Sequence, residues 1–212
     1  MKKSLILLLT LFVIGIMTGC GMSEEEAKEY VQASLDAAYK GEFDAFIEIT
    51  DSTPEGAKAM YEENIVHTME MAGFSEMNLS EELTEKYEQL FLELAKSADY
   101  TVGDATKGED GNLAVEVMVR PMTIFEGIDV EVTEALLDKI AEMEEYPDDS
   151  EIIEMSFEEM YNVLTERMNN PVYGDEQVAV TINVHKNEEG MYAISEEDML
   201  ILDNALFATG QE

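Results

Sequence analysis

Apolar positions along this chain recur first at helical spacing, then at every second residue, and the cycle repeats once. Ser23 followed by Glu24, Glu25 and Glu26 reads as an N-cap with acids in the first turn and a glutamate at the third position. Ala27, Tyr30, Val31, Leu35 and Ala38 then mark one helical face, up to an interruption at Gly41. Phe43, Phe46 and Ile47 predict a short second helix ending near Thr50. Thr53-Pro54 opens a third, with proline at its favoured first position, carrying Ala57, Met60, Tyr61, Ile65 and Met69 to a stop at Gly73. Ser80-Glu81-Glu82 caps a fourth, whose Leu83, Tyr87, Leu90, Phe91 and Leu94 form a sharp apolar stripe.

The period then changes to two. Tyr100 to Thr106 predicts a strand, residues 107–112 a turn, and Leu113, Val115, Val117 and Val119 a half-buried return strand. Two helices follow, one marked by Val132, Leu136, Leu137, Ile140 and Met143, the other by Ile153, Phe157, Met160, Val163, Leu164 and Met168. Alternation returns at Val178, Val180, Ile182 and Val184. Asn187 to Gly190 turns the chain into a strand over Met191–Ile194, and Ser195 caps a last helix running to Gly210. The expected fold is α+β: N-terminal helices on an antiparallel sheet made of two β-hairpins, a helical insertion at about 128–169, and a C-terminal helix. Residues 20–212 are read as one domain.

The chain begins with Lys2 and Lys3, a largely apolar run from Leu5 to Met17, and Thr18-Gly19-Cys20. A basic start, a short apolar stretch and small residues describe a signal peptide over residues 1–19. A spanning helix needs about 20 apolar residues, more than this run supplies. The sole cysteine sits where cleavage would expose it. These residues resemble the bacterial lipoprotein lipobox, with Met17 where leucine is usual. That resemblance implies lipidation, palmitate included, through the sulfur of Cys20 and anchorage on the extracytoplasmic face of the cell membrane. Only Gly21 and Met22 separate Cys20 from the first predicted helix, so the tether is short.

Two further segments carry a resemblance. Residues 24–50, with Gly41-Glu42-Phe43-Asp44 opening the second helix, and residues 190–207, a strand, a polar cap and a Leu-rich helix, resemble Gram-positive lipoproteins carrying a domain of unknown function. Such proteins are similar to the nuclear-transport-factor-2-like, or cystatin-like, α+β cone, in which a curved sheet wraps a long helix. The resemblance implies surface tethering and ligand binding within the cone, and it supplies no catalytic residues.

Charge narrows the partners. The chain has 48 acidic and 12 basic residues, and loss of Lys2 and Lys3 with the leader leaves 10 basic residues, a formal −38. Such a surface repels nucleic acid, anionic headgroups and anionic cell-wall polymers. A hydrophobic content of 46% nonetheless supports a folded core.

Candidate chemistry is sparse. Only His67 and His185 are available as neutral-pH acid–base groups. His67 lies on the third predicted helix, four residues from Glu63, where an ion pair is the ordinary explanation. His185 ends a strand and is expected to face solvent. The acidic segments 104–110 and 148–151 lack the alternating Asp spacing of a calcium loop, and zinc would require cysteine or clustered histidine. No catalytic residue, metal site or cofactor is therefore expected. Tyr61, Tyr87, Phe91 and Tyr161 combine apolar bulk with, in three cases, a polar tip, and are the candidate lining of an apolar-ligand site. The expected function is a non-enzymatic binding or interaction module, its occupant an apolar ligand or a protein partner. The alternatives are a carrier of an apolar molecule and a cone-pocket hydrolase or isomerase.

Overall fold

The computed structural model describes residues 21–108, 111–187 and 190–207. Helix α1 (Glu24–Leu35) starts in a capping box: Ser23 Oγ accepts from the Glu26 amide while the Glu26 carboxylate accepts from the Ser23 amide at 2.7 Å. Its last turn widens into a π-helical segment, Asp36–Lys40, which ends at Gly41 with φ +67°. Ala37, Ala38 and Tyr39 are buried in this segment, continuing the burial of Ala33, Ser34 and Leu35 at the end of α1. Next come α2 (Asp44–Thr50), α3 (Pro54–Met71, capped by Thr53), a single turn α4 (Phe74–Met77) and α5 (Glu81–Lys96, capped by Ser80). The turn α4 is an addition to the elements read from sequence, and it delivers Phe74 to the core.

Four strands, β1 (Asp99–Lys107), β2 (Leu113–Arg120), β3 (Val178–Lys186) and β4 (Tyr192–Ile194), make one antiparallel sheet in that order. Register aligns the apolar positions: Leu113 faces Val184, Val115 faces Ile182, and Val117 faces Val180, all buried on the same side. Their neighbours Glu116, Arg120 and Thr181 are exposed, so helices cover one face only, as the alternation predicts. A bulge in β1 falls between Val102 and Ala105. There Gly103 passes so close to β2 that a Cβ would stand 3.0 Å from the Glu116 carbonyl oxygen. The bulge sends Asp104 outward to Lys28 on α1, at 2.8 Å.

Between the hairpins lie α6 (Ile128–Ala141) and α7 (Asp149–Met168), the expected helical insertion. The α6 helix packs principally on α7, and α7 packs in turn on α5. The closing helix α8 (Glu196–Leu206) lies against β3 and β2. It ends at Leu206, ahead of the expected Gly210; Phe207 leaves the helix and bridges to Met122. Met122 also bridges to Tyr173, so one buried residue ties together the segments entering the insertion, leaving it, and following α8.

Candidate functional site

The chain joins its core as soon as the described residues begin. Met22 is buried, and its amide donates to the Tyr192 phenol oxygen at 2.6 Å, fixing the start of α1 to β4. The Tyr30 hydroxyl donates to the Tyr192 carbonyl at 3.1 Å, and the Lys107 amide reaches Glu24 Oε1 at 3.1 Å. Position 20 and residues 1–19, where a signal peptide is expected, lie outside the described residues. Only Gly21 intervenes between it and a buried, hydrogen-bonded residue.

A second focus lies at the far end of α1. Three open grooves, of about 570, 530 and 360 Å³, share Asp36 in their walls. The largest runs between α1 and α2, with Glu25, Glu29, Asp36 and Glu48 against the single cation Lys28. The Asp36 carboxylate accepts from the Tyr100 hydroxyl at 2.7 Å and from Gln32 Nε2 at 2.9 Å. One residue before Lys40, the Tyr39 hydroxyl donates inward to Asp203 at 2.7 Å. Burial, reinforced by these carboxylates, pushes both phenols well above the usual tyrosine range. Lys40 donates to the carbonyls of Lys96 and Ala98, where it meets the negative end of α5, and lies 5.3 Å over the Tyr100 ring. Burial lowers its proton affinity, against the pull of Asp99, Asp36 and Glu42. The π-helical segment thus sends Asp36 and Lys40 toward the grooves and Tyr39 into the core.

The residues singled out from sequence divide into two groups. Tyr87, Phe91 and Tyr161 come together: the Tyr87 ring lies 5.8 Å from Tyr161 and 6.3 Å from Phe91. Phe74 and Phe157 complete the cluster, and the Tyr87 hydroxyl donates to the Phe157 carbonyl at 2.8 Å. Tyr87 and Phe91 are fully buried in it, so the ring faces are spent on one another. Tyr61 stands apart, edge-on to Phe43 at 5.7 Å and packed beneath Gly41. Its hydroxyl is buried with no hydrogen-bond partner. His67 is on the exposed side of α3, its side chain 56% exposed, and its carboxylate neighbour is Glu70 at 3.9 Å, one turn on, instead of Glu63. His185 is half-buried and pairs in register with Ala193.

Asp36, Lys40, Tyr100 and the Tyr39–Asp203 pair carry no sequence signal of their own. Their partners lie 64 and 164 residues away, and only the break at Gly41 hinted at an irregular helix end. Among the described residues, no three His, Cys, Asp or Glu side chains are arranged to hold a metal ion, and no helix is long and apolar enough to cross a membrane.

No family model matches this chain, and no curated protein matches it in sequence. In fold it is similar to the crystal structure of ycdA, a candidate lipoprotein of Bacillus subtilis, with a TM-score of 0.59 at 13% sequence identity. The likeness covers 85% of this chain but 55% of that one, so this chain spans about half the length of its structural neighbour.

Proposed function

We propose that this protein is a membrane-anchored extracytoplasmic lipoprotein, held by acyl groups on Cys20 and acting as a non-enzymatic binding or interaction module. The observation that carries this reading is the basic, then apolar start ending in Met17-Thr18-Gly19-Cys20, and the hydrogen bond from the Met22 amide to Tyr192 starts the folded body two residues later. A lipid on that cysteine would hold the folded body against the bilayer with almost no linker. The name of the Bacillus subtilis neighbour supports the same anchoring. A first helix laid against β1 and β2 of a four-stranded antiparallel sheet supports the cone-type reading of the fold.

Binding is favoured over catalysis by where the groups stand. The more exposed histidine sits on an outer helix face beside Glu70, and the tyrosine–phenylalanine cluster is packed upon itself. The grooves are open and acid-walled, which suits recognition of a cationic surface. Intact-mass analysis of protein extracted from membranes tests the anchoring. The expected species begins at Cys20 and carries thioether-linked acylglycerol. A mature population with a free thiol or a retained leader would overturn it.

A further inference from the structure

Helix α6 is more apolar than its packing requires. Eight of its 14 residues are Ala, Val, Leu or Ile, yet Val132 is the only one buried. Val130 and Leu137, two helical turns apart on one face, are 58% and 60% exposed. Beyond the helix the exposure continues through Met143, Tyr146 and Ile153. Five of the nine large apolar side chains exposed among the described residues thus fall between positions 130 and 153, a concentration that scattered surface residues do not produce.

The charge around this stripe selects its occupant. Residues 128–168 hold 14 acids against Lys139 and Arg167. Both cations are already engaged, Lys139 with Glu158 and Glu159, and Arg167 with Glu131. A second copy would set one acidic hairpin against another, and anionic headgroups would be repelled in the same way. An apolar stripe between carboxylates such as Glu134 and Asp138 instead matches a helix with apolar residues on one face and Lys or Arg beside them. We propose that the α6–α7 hairpin is the docking surface for a basic amphipathic helix of a partner protein. This deepens the interaction-module reading and rests on it, but does not depend on the lipid.

The full chain as extracted from membranes, placed in nanodiscs of zwitterionic phosphatidylcholine, or free in solution if it carries no acyl group, provides the test. The probe is a fluorescent peptide of about 18 leucine and lysine residues patterned as an amphipathic helix, long enough to form one. Anisotropy is read against empty discs. Saturable binding is expected, falling when salt rises from about 50 to about 500 mM. The double variant Val130→Ser/Leu137→Ser, checked for an unchanged melting curve, should weaken binding roughly tenfold or more, as should shuffling the peptide sequence. The proposal is overturned if the peptide does not bind, if the variant or the shuffled peptide binds equally well, or if the discs hold a dimer that the variant dissociates. The acyl mass of the same preparation reports on the anchoring separately, so the two failures cannot be confused.

Discussion

The amide of Met22 and the phenol of Tyr192 meet at 2.6 Å across 170 residues of sequence, so the first and last parts of the fold are closed on each other. Tyr192→Phe keeps the ring but strands a buried N–H. An orphaned buried donor costs about 1–3 kcal/mol. The expected result is an unfolding free energy lowered by that amount, read as a lower urea midpoint at an unchanged slope, together with faster hydrogen exchange at residues 22–24. An unaltered exchange rate there would show that the N-terminal turn is held by something other than this bond.

Phenols held protonated by burial should make stability fall at alkaline pH. Burial raises the proton affinity of Tyr39, Tyr61, Tyr87, Tyr100 and Tyr173 above the ordinary tyrosine value of 10.0, most strongly at Tyr39, Tyr87 and Tyr100. In the unfolded chain they release protons near pH 10, while the folded chain retains them. The unfolded state then binds fewer protons, so stability is intact below pH 10 and falls above it. Well above pH 10 each such tyrosine contributes up to about 1.4 kcal/mol per pH unit, and the three most strongly raised together about 4. Unfolding free energies from urea titrations should stay level near pH 9 and fall increasingly from pH 10 to pH 11, and Tyr39→Phe should reduce the fall by roughly a fifth to a third. A flat profile over that range would mean that the phenols are not protected.

Much of the architecture could be read from the chain because its core positions are periodic. Leu113, Val115, Val117 and Val119 alternate without a break, and all four are fully buried on one side of β2. The α5 stripe Leu83, Tyr87, Leu90, Phe91 and Leu94 is likewise buried as its spacing requires. What the spacing does not encode is which face meets which. Tyr61 and Tyr87 both sit on apolar helix faces, but Tyr61 turns toward Phe43 and Tyr87 toward α7. The Leu137 position on α6 fits the helical period as well as Val132 does, yet only Val132 is covered. The groups around Asp36 were hidden for a different reason. A π-helical turn leaves no period of its own, and the Tyr100 contact depends on where β1 docks.

Phe74 tests whether the aromatic cluster supports the insertion. Its ring lies 4.8 Å from Tyr87, 5.8 Å from Phe91 and 5.4 Å from Phe157, joining α4, α5 and α7. Phe74→Ala removes the shared neighbour, and a buried Phe→Ala change costs about 3–5 kcal/mol. Calorimetry should show the loss, and hydrogen exchange should accelerate along α7 more than in β2. Equal acceleration everywhere would indicate that the cluster is ordinary core with no special hold on the hairpin of α6 and α7.

Salt distinguishes two opposing electrostatic effects. The ion pairs of the described residues are largely at the surface, as with Lys58–Glu62, whose side chains are 67% and 60% exposed. Such pairs contribute little, and salt weakens them. Against them stands the mutual repulsion of 48 acids with only 12 basic residues to offset it, and screening relieves that repulsion. Acids outnumber basic residues four to one, so relief should win. Raising sodium chloride from about 10 to about 100 mM shortens the screening length from about 30 to about 10 Å. The urea midpoint should therefore rise over this range and level off beyond it. Chloride is the suitable anion, because sulfate would also strengthen apolar burial. A midpoint that falls with sodium chloride would show that attractive pairs outweigh the acidic surface.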